Sequence, residues 1–277
     1  MTNAQSAASD RGTHIRVGIG GWVYAPWRNN FYPAKLAQKR ELEYASRQLR
    51  AIEINGTYYS PQKPATYVRW RNETPEGFVF SLKAPRYTTD RRVLADAGKA
   101  IDDFVFGGLA EFGDRLGPIL WQLPPYKAFD RADLAAFLDQ LPRALDGYAL
   151  RHVLEVRNAS FKCAEYLELV HKYRVPTVFT DSPKYPSFAD VTGDFVYARL
   201  MRSESANAAG YADAELERWA QRAKQWAQGG DPADLPRVSP ADTGATTAPR
   251  DVFVYFISAA KERNPAAAQT LQARCMD

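Results

Sequence analysis

The sequence has few of the residues that usually build metal sites or covalent cross-links. Its 277 residues include only two cysteines and three histidines. Cys163 and Cys275 are far apart in no CxxC spacing, so neither a disulfide framework nor a cysteine zinc site is indicated. None of His14, His152 and His171 ends a predicted strand, which argues against a histidine zinc site or a Ser-His-Asp triad. We therefore predict no metal and no cofactor.

The chain also lacks a long apolar run and a strong excess of one charge. No apolar stretch approaches about 20 residues, the length that crosses a bilayer, so no contact with a membrane is predicted. Residues 1–14 are small and polar, unlike a signal peptide, and we expect a flexible tail there. The unpaired cysteines and the absent leader favour a cytoplasmic location. The net charge of +4 permits anionic partners without requiring them.

Eight short apolar runs predict eight strands, most of them separated by helical stretches. The runs are nearly continuous in hydrophobicity, as expected for strands that are buried on both faces. Alternating strands and helices imply a parallel sheet, and eight such units imply closure into a barrel. We therefore predict an α/β fold, a TIM-type (β/α)8 barrel, as a single domain over residues 15–277. The predicted strands are 17–20, 51–54, 78–82, 118–123, 152–156, 176–180, 195–200 and 251–257.

Three stretches between these strands carry further predictions. A helical pattern indicates a long helical region over about 96–116. Only a short connection joins the sixth and seventh strands, so the sixth helix is expected to be short or missing. Residues 229–249 are rich in Gly, Pro, Asp, Ser and Thr and predict a long loop before strand eight. The competing architecture, an open doubly wound sheet, is disfavoured because the glycines after strand one lack phosphate-binding spacing.

The stretch 17–27 combines a short apolar strand, two glycines and three aromatic residues. Glycine allows close backbone approach or positive φ, and aromatic side chains offer flat, half-polar surfaces. We predict that Trp22 and Tyr24 form the first wall of a pocket. Trp27 and Tyr58 could also stack on a ligand, but the core is the preferred prediction for both.

The active site of a TIM barrel lies at the carboxyl ends of its strands. Acids, bases and amides end the predicted strands of this chain, and charged residues rarely occupy buried strand positions unless they are paired. The sequence therefore predicts a functional site at this mouth. Its strand-end residues are Trp22, Glu53, Asn55, Lys83, Arg86, Gln122, Glu155, Arg157, Asp181 and Arg199.

Glu53 and Glu155 are the predicted catalytic pair, with Asp181 as a third catalytic candidate. Each glutamate stands between aliphatic residues within a strand, where desolvation can tune a carboxyl pKa for acid or base work. The alternative for the glutamates is a structural pairing with neighbouring cations, and for Asp181 it is a turn. A divalent ion held by these carboxylates is a further alternative for which the sequence offers no support.

Four cationic residues complement these acids, namely Lys83, Arg86, Arg157 and Arg199. The planar guanidinium of arginine can donate two parallel hydrogen bonds to a carboxylate or phosphate. Substrate binding is favoured for Lys83 and Arg86, whereas pairing with an acid is favoured for Arg157. The predicted substrate-binding set comprises Trp22, Tyr24, Asn55, Lys83, Arg86, Gln122, Arg157 and Arg199.

Seven stretches carry a family resemblance. They are IGGWVYAPWRNNFYP, AIEINGTYYSPQKPATYVRWRNETPEGFVFSLKAPRYTT, LGPILWQLPP, HVLEVRNASF, TDSP, YARL and VFVYF. Together they resemble the YecE-like family, the domain of unknown function 72, which implies a TIM-type barrel and brings no function. This chain departs from the family after strand seven, where Met201-Arg202 replaces a His-Gly pair, and after strand eight, where Ile257-Ser258 replaces an Asn-Asn-type motif. These departures imply an altered substrate or a lost activity if those groups complete the family's site.

The functional prediction is a hydrolase or isomerase that acts on a small anionic substrate, phosphorylated or carboxylated, at the barrel mouth. The alternative is a non-catalytic module that binds nucleic acid or carbohydrate at the same mouth, with Trp22, Tyr24 and Trp27 stacking on the ligand. A small anionic molecule is thus the expected partner and nucleic acid the alternative. The sequence predicts neither the identity of the substrate nor an oligomeric state.

Overall fold

Eight parallel strands form the centre of the protein in a computed structural model that describes residues 15–239 and 248–276. The strands are β1 (Ile15–Gly20), β2 (Ala51–Ile54), β3 (Val79–Lys83), β4 (Leu116–Gln122), β5 (His152–Glu155), β6 (Phe179–Asp181), β7 (Phe195–Leu200) and β8 (Asp251–Phe256). Their order in the sheet is β5-β4-β3-β2-β1-β8-β7-β6. A parallel bridge between Leu154 and Thr177 joins the two edges. The predicted TIM-type barrel is therefore confirmed.

Helices surround this barrel and mostly alternate with its strands. They are α1 (Glu41–Gln48), α2 (Pro64–Glu73), α3 (Arg86–Thr89), α4 (Gly98–Val105), α5 (Arg131–Asp139), α6 (Ala164–Tyr173), α7 (Asp213–Ala227) and α8 (Asn264–Met276). Asp130 caps α5 by accepting from the backbone amides of Ala132 and Asp133. Residues 182–194, all of them described, connect β6 to β7 without a helix.

The long helical region predicted over about 96–116 is helical over most of its length but is divided into separate segments. Helix α4 ends at Val105, and a separate 3-10 segment follows (Leu109–Arg115). Gly108 lies between them with φ 134°, and Gly113 interrupts the 3-10 segment with φ 54°. Positive φ costs glycine little, so these two residues redirect the chain where a helical pattern continues in the sequence.

Side chains on each strand alternate between the barrel interior and the surrounding helices, because the period of a strand is two residues. The buried apolar interior is formed by Ala51, Val79, Leu120, Val153, Val178, Phe195, Tyr197, Met201, Phe253, Tyr255 and Ile257. A larger apolar cluster, which includes Ile52 and Trp121, lies between the strands and the helices. The inward positions nearest the carboxyl end are polar, and their residues are Glu53, Lys83, Gln122, Glu155 and Arg199.

Large rings fill the interior, and one glycine makes room for them. The rings of Tyr197 and Tyr255 lie 5.0 Å apart between centroids. A Cβ atom at Gly18 would stand 2.1 Å from the carbonyl oxygen of Ala51 and 3.0 Å from the Tyr255 ring. Each fully buried ring stabilises the fold by roughly 2–3 kcal/mol. A larger residue at position 18 would therefore disturb a part of the core that contributes strongly to stability.

Some predictions concern residues outside the described part. The tail predicted for residues 1–14 lies wholly outside it. The loop predicted for 229–249 is described for 229–239 and 248–249, which contain neither helix nor strand. The assignment of 15–277 to one domain stays a prediction. Across the described ranges, no helix combines the length and apolar character that crossing a membrane requires.

Candidate functional site

A cavity of about 630 Å³ opens at the carboxyl ends of the strands, a size that suits a small molecule. It is lined by residues at the carboxyl ends of β1, β2, β3, β7 and β8, by the loops that follow β1, β2, β5 and β8, and by one residue each of α2 and α8. Five of the predicted site residues line it, namely Trp22, Asn55, Lys83, Arg157 and Arg199.

Arg199 joins the two buried glutamates next to this cavity. Its Nε and Nη2 donate to the Glu53 carboxylate over 3.0 and 2.9 Å, and its Nη1 donates to Glu155. Arg157 Nε donates to the second oxygen of Glu155 over 2.6 Å, and the Tyr197 hydroxyl donates to Glu53 over 2.8 Å. All four carboxylate oxygens therefore have a partner, and both glutamates are fully buried.

The charges within this group balance one another. Burial by itself would raise the pKa of Glu155, but Arg199, Arg157 and Lys83 outweigh burial and hold that pKa below its usual range. Burial opposes the charge of Arg199 as well, and the two glutamates more than offset it, so the pKa of Arg199 is raised. The contacts favour a positioning role for Glu53 and Glu155, and the predicted acid/base role stays a prediction.

Lys83 is buried at the cavity without such partners. It is the last residue of β3, is 9% exposed, and its backbone carbonyl accepts a hydrogen bond of 2.7 Å from the Thr57 hydroxyl. Its Nζ lies 3.9 Å from the centroid of the Tyr58 ring. Within the described part of the chain, no hydrogen bond or ion pair engages this Nζ. Tyr58 is half-buried beside Lys83 and does not belong to the core, unlike the prediction.

The surroundings of Lys83 disfavour its ammonium form. Burial is the largest cause and the charge of Arg199 the next, and together with Arg157 they lower the pKa of Lys83 to about 8. Glu155 and Glu53 act in the opposite direction but only partly offset these effects. Lys83 is therefore much easier to deprotonate than an ordinary lysine.

A second lysine, Lys261, lines the cavity and was missed by the sequence analysis. It begins a short 3-10 segment after β8, and its carbonyl accepts a hydrogen bond of 2.8 Å from Trp27 Nε1. Its Nζ lies 4.5 Å from the centroid of the Tyr24 ring. Burial lowers the pKa of Lys261. Trp27 is fully buried, as predicted, and Tyr24 packs against it beside Lys261 without lining the cavity.

Aromatic side chains form another part of the cavity wall. The rings of Trp22 and Trp70 meet edge to face with centroids 4.9 Å apart, and Tyr59 is 81% exposed at the rim. Such rings bind apolar or planar groups. The sequence did not predict Trp70, because it comes from the middle of α2 and not from a strand end.

The loop after β8 closes another side of the cavity with the Ile257-Ser258 pair. A Cβ atom at Gly20 would stand 2.8 Å from Ile257 Cδ1, so a larger residue at position 20 would displace the end of the isoleucine side chain. Ser258 and Ala259 have φ 61° and 50°, a left-handed conformation that glycine and asparagine adopt most readily. The Ile257-Ser258 pair, at which the resemblance predicts a departure from the family pattern, thus lies in the cavity wall.

Three other predicted residues do not line the cavity. Arg86 begins α3 and pairs with Asp90 while its side chain is 66% exposed, so the expected clamp of Arg86 and Lys83 is not formed at the cavity. Asp181 accepts a hydrogen bond of 2.7 Å from Arg202, and burial raises its pKa. Gln122 is buried, and its Oε1 has no hydrogen-bond partner among the described residues.

No metal site is apparent in the described part of the chain, where no group of three or more His, Cys, Asp and Glu side chains could hold an ion. The oxygens of Glu53 and Glu155 are engaged by arginine and tyrosine. Cys163 and Cys275 are both free and half-buried.

Sequence comparison connects the chain to proteins without an assigned activity. A family model described as "Protein of unknown function DUF72" matches residues 16–277. UPF0759 protein YecE from Escherichia coli (strain K12) is 29% identical over 142 residues, which cover 50% of this chain and 48% of that protein. UPF0759 protein YunF from Bacillus subtilis (strain 168) is 26% identical over 117 residues, or 40% of each protein. The chain thus matches about half, or less, of the length of these relatives.

Solved structures share the fold over a longer range. A DUF72 family protein from Thermotoga maritima MSB8 has a TM-score of 0.69 at 19% identity, covering 95% of this chain and 99% of that chain. A DUF72 family protein from Enterococcus faecalis V583 has a TM-score of 0.68 at 15% identity, covering 95% and 96%. Likeness at this level of identity supports the barrel fold alone.

Proposed function

The chain belongs to the family described as proteins of unknown function DUF72, and we propose that its barrel mouth binds and converts a small anionic organic substrate. The charge of the cavity is the observation that carries this proposal. Its charged lining residues, within the described chain, are Lys83, Arg157, Arg199 and Lys261, all of them cations. The glutamates that balance the two arginines are buried behind them and do not line the cavity. An anion that enters would therefore meet a positive potential in a partly desolvated site.

The size and walls of the cavity narrow the class of substrate. A volume of about 630 Å³ accommodates a small organic molecule. Its carboxylate or phosphate would contact the cationic side, with Arg157 as a fork and Lys261 as a point charge. Its body would pack against Trp22 and Trp70. These features favour a molecule with one anionic end and a small apolar or planar body.

The reaction class predicted from the sequence was hydrolysis or isomerisation by a pair of glutamates. Because their oxygens are engaged, we assign Glu53 and Glu155 the task of positioning Arg199 and Arg157. Isomerisation is the better fit of the two classes, since a lysine amine remains free at the cavity to act on the substrate.

The alternative, a non-catalytic module for nucleic acid or carbohydrate, relied on Trp22, Tyr24 and Trp27 as a stacking surface. Only Trp22 of the three lines the cavity, while Trp27 is fully buried and holds Lys261. The three predicted rings therefore do not form a continuous stacking platform at the cavity, which favours the small molecule.

The test is calorimetric binding of a panel of small carboxylates and phosphates at low salt, alongside a neutral sugar and a single-stranded oligonucleotide. We expect saturable binding of at least one small anion. Lys261→Met should weaken this binding at least tenfold, because it removes a charged contact that contributes about 1.5–3 kcal/mol to the binding free energy. Arg202→Met is the matched control, because Arg202 pairs with Asp181 outside the cavity lining. Binding of the oligonucleotide or sugar alone would contradict the proposal.

A further inference from the structure

We propose that Lys83 is the nucleophile of this cavity and forms an imine with a small substrate that carries both a carbonyl group and an anionic group. This inference rests on the proposed function, because the anionic group is the feature that the cationic lining would hold. It adds a catalytic residue and a substrate class to that function.

The position of Lys83 is fixed by its strand. Lys83 pairs in register with Leu120 of β4, and its carbonyl is bonded to the Thr57 hydroxyl over 2.7 Å. The alternation along β3 directs its side chain inward at the carboxyl end of the barrel. Its amine is thus presented to the cavity from a rigid element, which catalysis requires more than binding does.

The amine is free because the neighbouring carboxylates are engaged elsewhere. A buried lysine is normally paired with an acid. Glu53 and Glu155 are close enough to affect the charge of Lys83, yet their oxygens accept from Arg199, Arg157 and a tyrosine. Among the described residues no hydrogen bond or ion pair engages Nζ, which lies over the face of the Tyr58 ring, and a ring face offers no site for a strong hydrogen bond.

Protonation of this amine depends on the charged groups that face it. Arg199 and Arg157 disfavour the ammonium, Glu155 and Glu53 favour it, and burial adds to the effect of the arginines. With the resulting pKa of about 8, roughly a quarter of the Lys83 amine is neutral at pH 7.5, against about one in a thousand for an ordinary lysine. A nucleophilic lysine needs this neutral form.

The covalent step balances without an oxidant or reductant. The lone pair of neutral Nζ attacks the carbonyl carbon and forms a C–N bond, and the carbonyl oxygen takes up a proton that leaves the nitrogen through solvent. A second proton from solvent then lets this hydroxyl depart as water. One amine, one carbonyl and one proton thus give one iminium and one water. The iminium withdraws electrons from the adjacent carbon, which facilitates proton removal there and so isomerisation.

Borohydride trapping on the full chain tests this inference. The protein is incubated at pH 7.5 with pyruvate, dihydroxyacetone phosphate or acetone, reduced with sodium borohydride, and mapped by peptide mass spectrometry. We expect one reduced adduct, at Lys83, with a carboxylate or phosphate probe. Its yield should be at least tenfold above the yield at Lys99. Lys99 is the matched lysine because its side chain is 87% exposed and Asp103 raises its pKa. The more reactive of the two anionic probes identifies the preferred anionic group.

Each other outcome overturns the inference in a distinct way. Equal labelling by acetone would remove the anionic requirement, and labelling at Lys261 or evenly over all lysines would remove the assignment to Lys83. Lys83→Met should abolish the adduct. If that variant does not fold, the position of the adduct in the protein without substitutions still shows whether Lys83 is the nucleophile. Anion binding without any adduct would refute the nucleophile and leave the proposed function standing. Absence of both would refute both.

Discussion

The two ends of the barrel treat buried polar groups differently. At the amino end, Asp251 pairs with Arg16 over 3.4 Å and with Arg151 over 2.7 Å. His152 begins β5 there and is 4% exposed. Its Nδ1 accepts from Trp121 Nε1 over 3.0 Å, and its Nε2 donates to a backbone carbonyl over 2.6 Å. The charges at this end are paired and His152 is hydrogen-bonded at both ring nitrogens, although Arg16 Nη1 makes no hydrogen bond within the described chain.

At the carboxyl end, only some of the buried charged groups have a partner of opposite charge. Arg199 and its two glutamates are saturated, whereas the amine of Lys83 is buried without a hydrogen bond or ion pair in the described chain. The cavity opens beside it. Burying an unpaired cation costs stability, so its presence at the carboxyl end supports the proposal that this is the functional end of the barrel.

The largest expected effect tests the saturated part of the carboxyl end. Arg199→Met leaves two buried carboxylates without their shared cation, so we expect the free energy of unfolding to fall by about 3–5 kcal/mol. Urea denaturation followed by fluorescence measures this. Arg202→Met, whose arginine is 46% exposed in its pair, should lose less than about 1 kcal/mol. Equal losses in both variants would contradict the distinction between the buried and the exposed pair.

The next effect tests the amino end through pH. Burial lowers the pKa of His152 to about 4 from its usual 6.5, so between these values the unfolded chain binds a proton that the folded chain does not. The stability that this group contributes is complete above pH 6.5 and is lost as pH falls to 4, by about 3 kcal/mol.

Urea titrations at several pH values should therefore show that His152→Gln has a smaller loss of stability from pH 6.5 to 4 than the unmodified chain. His171 is exposed on α6, and His171→Gln should follow the unmodified chain throughout. A His152→Gln curve parallel to the unmodified one would show that the histidine is not held neutral.

A third substitution, Lys83→Met, should raise the free energy of unfolding, in contrast to the losses predicted for Arg199→Met. The folded-state pKa of Lys83 is lowered from 10.5 to about 8, so its charging costs stability that is fully lost below pH 8. Lys83→Met keeps the side-chain length and removes the buried charge, and we expect it to raise the free energy of unfolding at pH 7 by about 1–3 kcal/mol. Lys99→Met, at an exposed lysine, should change it by less than about 0.5 kcal/mol. A destabilised Lys83→Met would indicate that the lysine has a structural partner.

The smallest effect concerns the rim of the amino end. Arg151 is 43% exposed in its pair with Asp251, so Arg151→Met should lower the free energy of unfolding by less than about 1 kcal/mol, and less still in 0.5 M salt. Denaturation at two salt concentrations measures this. A loss as large as that of Arg199→Met would contradict the difference between the ends.

Most of the fold could be predicted because apolar runs bounded by glycine, proline and charged residues are local signals. Strands β2 and β7 have the predicted bounds. The helical region over 96–116 is interrupted because Gly108 and Gly113 adopt positive φ, and the sequence does not show which glycines will do so.

The site was predicted only in outline, because strand ends are local but side-chain partners are not. The strand-end rule identified Lys83 and Arg199 as residues of the mouth. It could not show that Arg199 would pair with both glutamates, because these partners lie 44 and 146 residues away in sequence. It missed Lys261 because that residue follows the strand end, and it misplaced Arg86, which pairs with Asp90 within α3.

The most direct test of the account is the pKa of Lys83 in the unliganded protein. Reductive ¹³C-methylation of the lysines followed by NMR titration gives it, with Lys83→Arg used to assign the resonance. The account predicts a pKa of about 8 that moves upward when a small anion binds in the cavity. A pKa at or above the usual lysine value, unaffected by anions, would show that the ammonium is paired and would contradict the account.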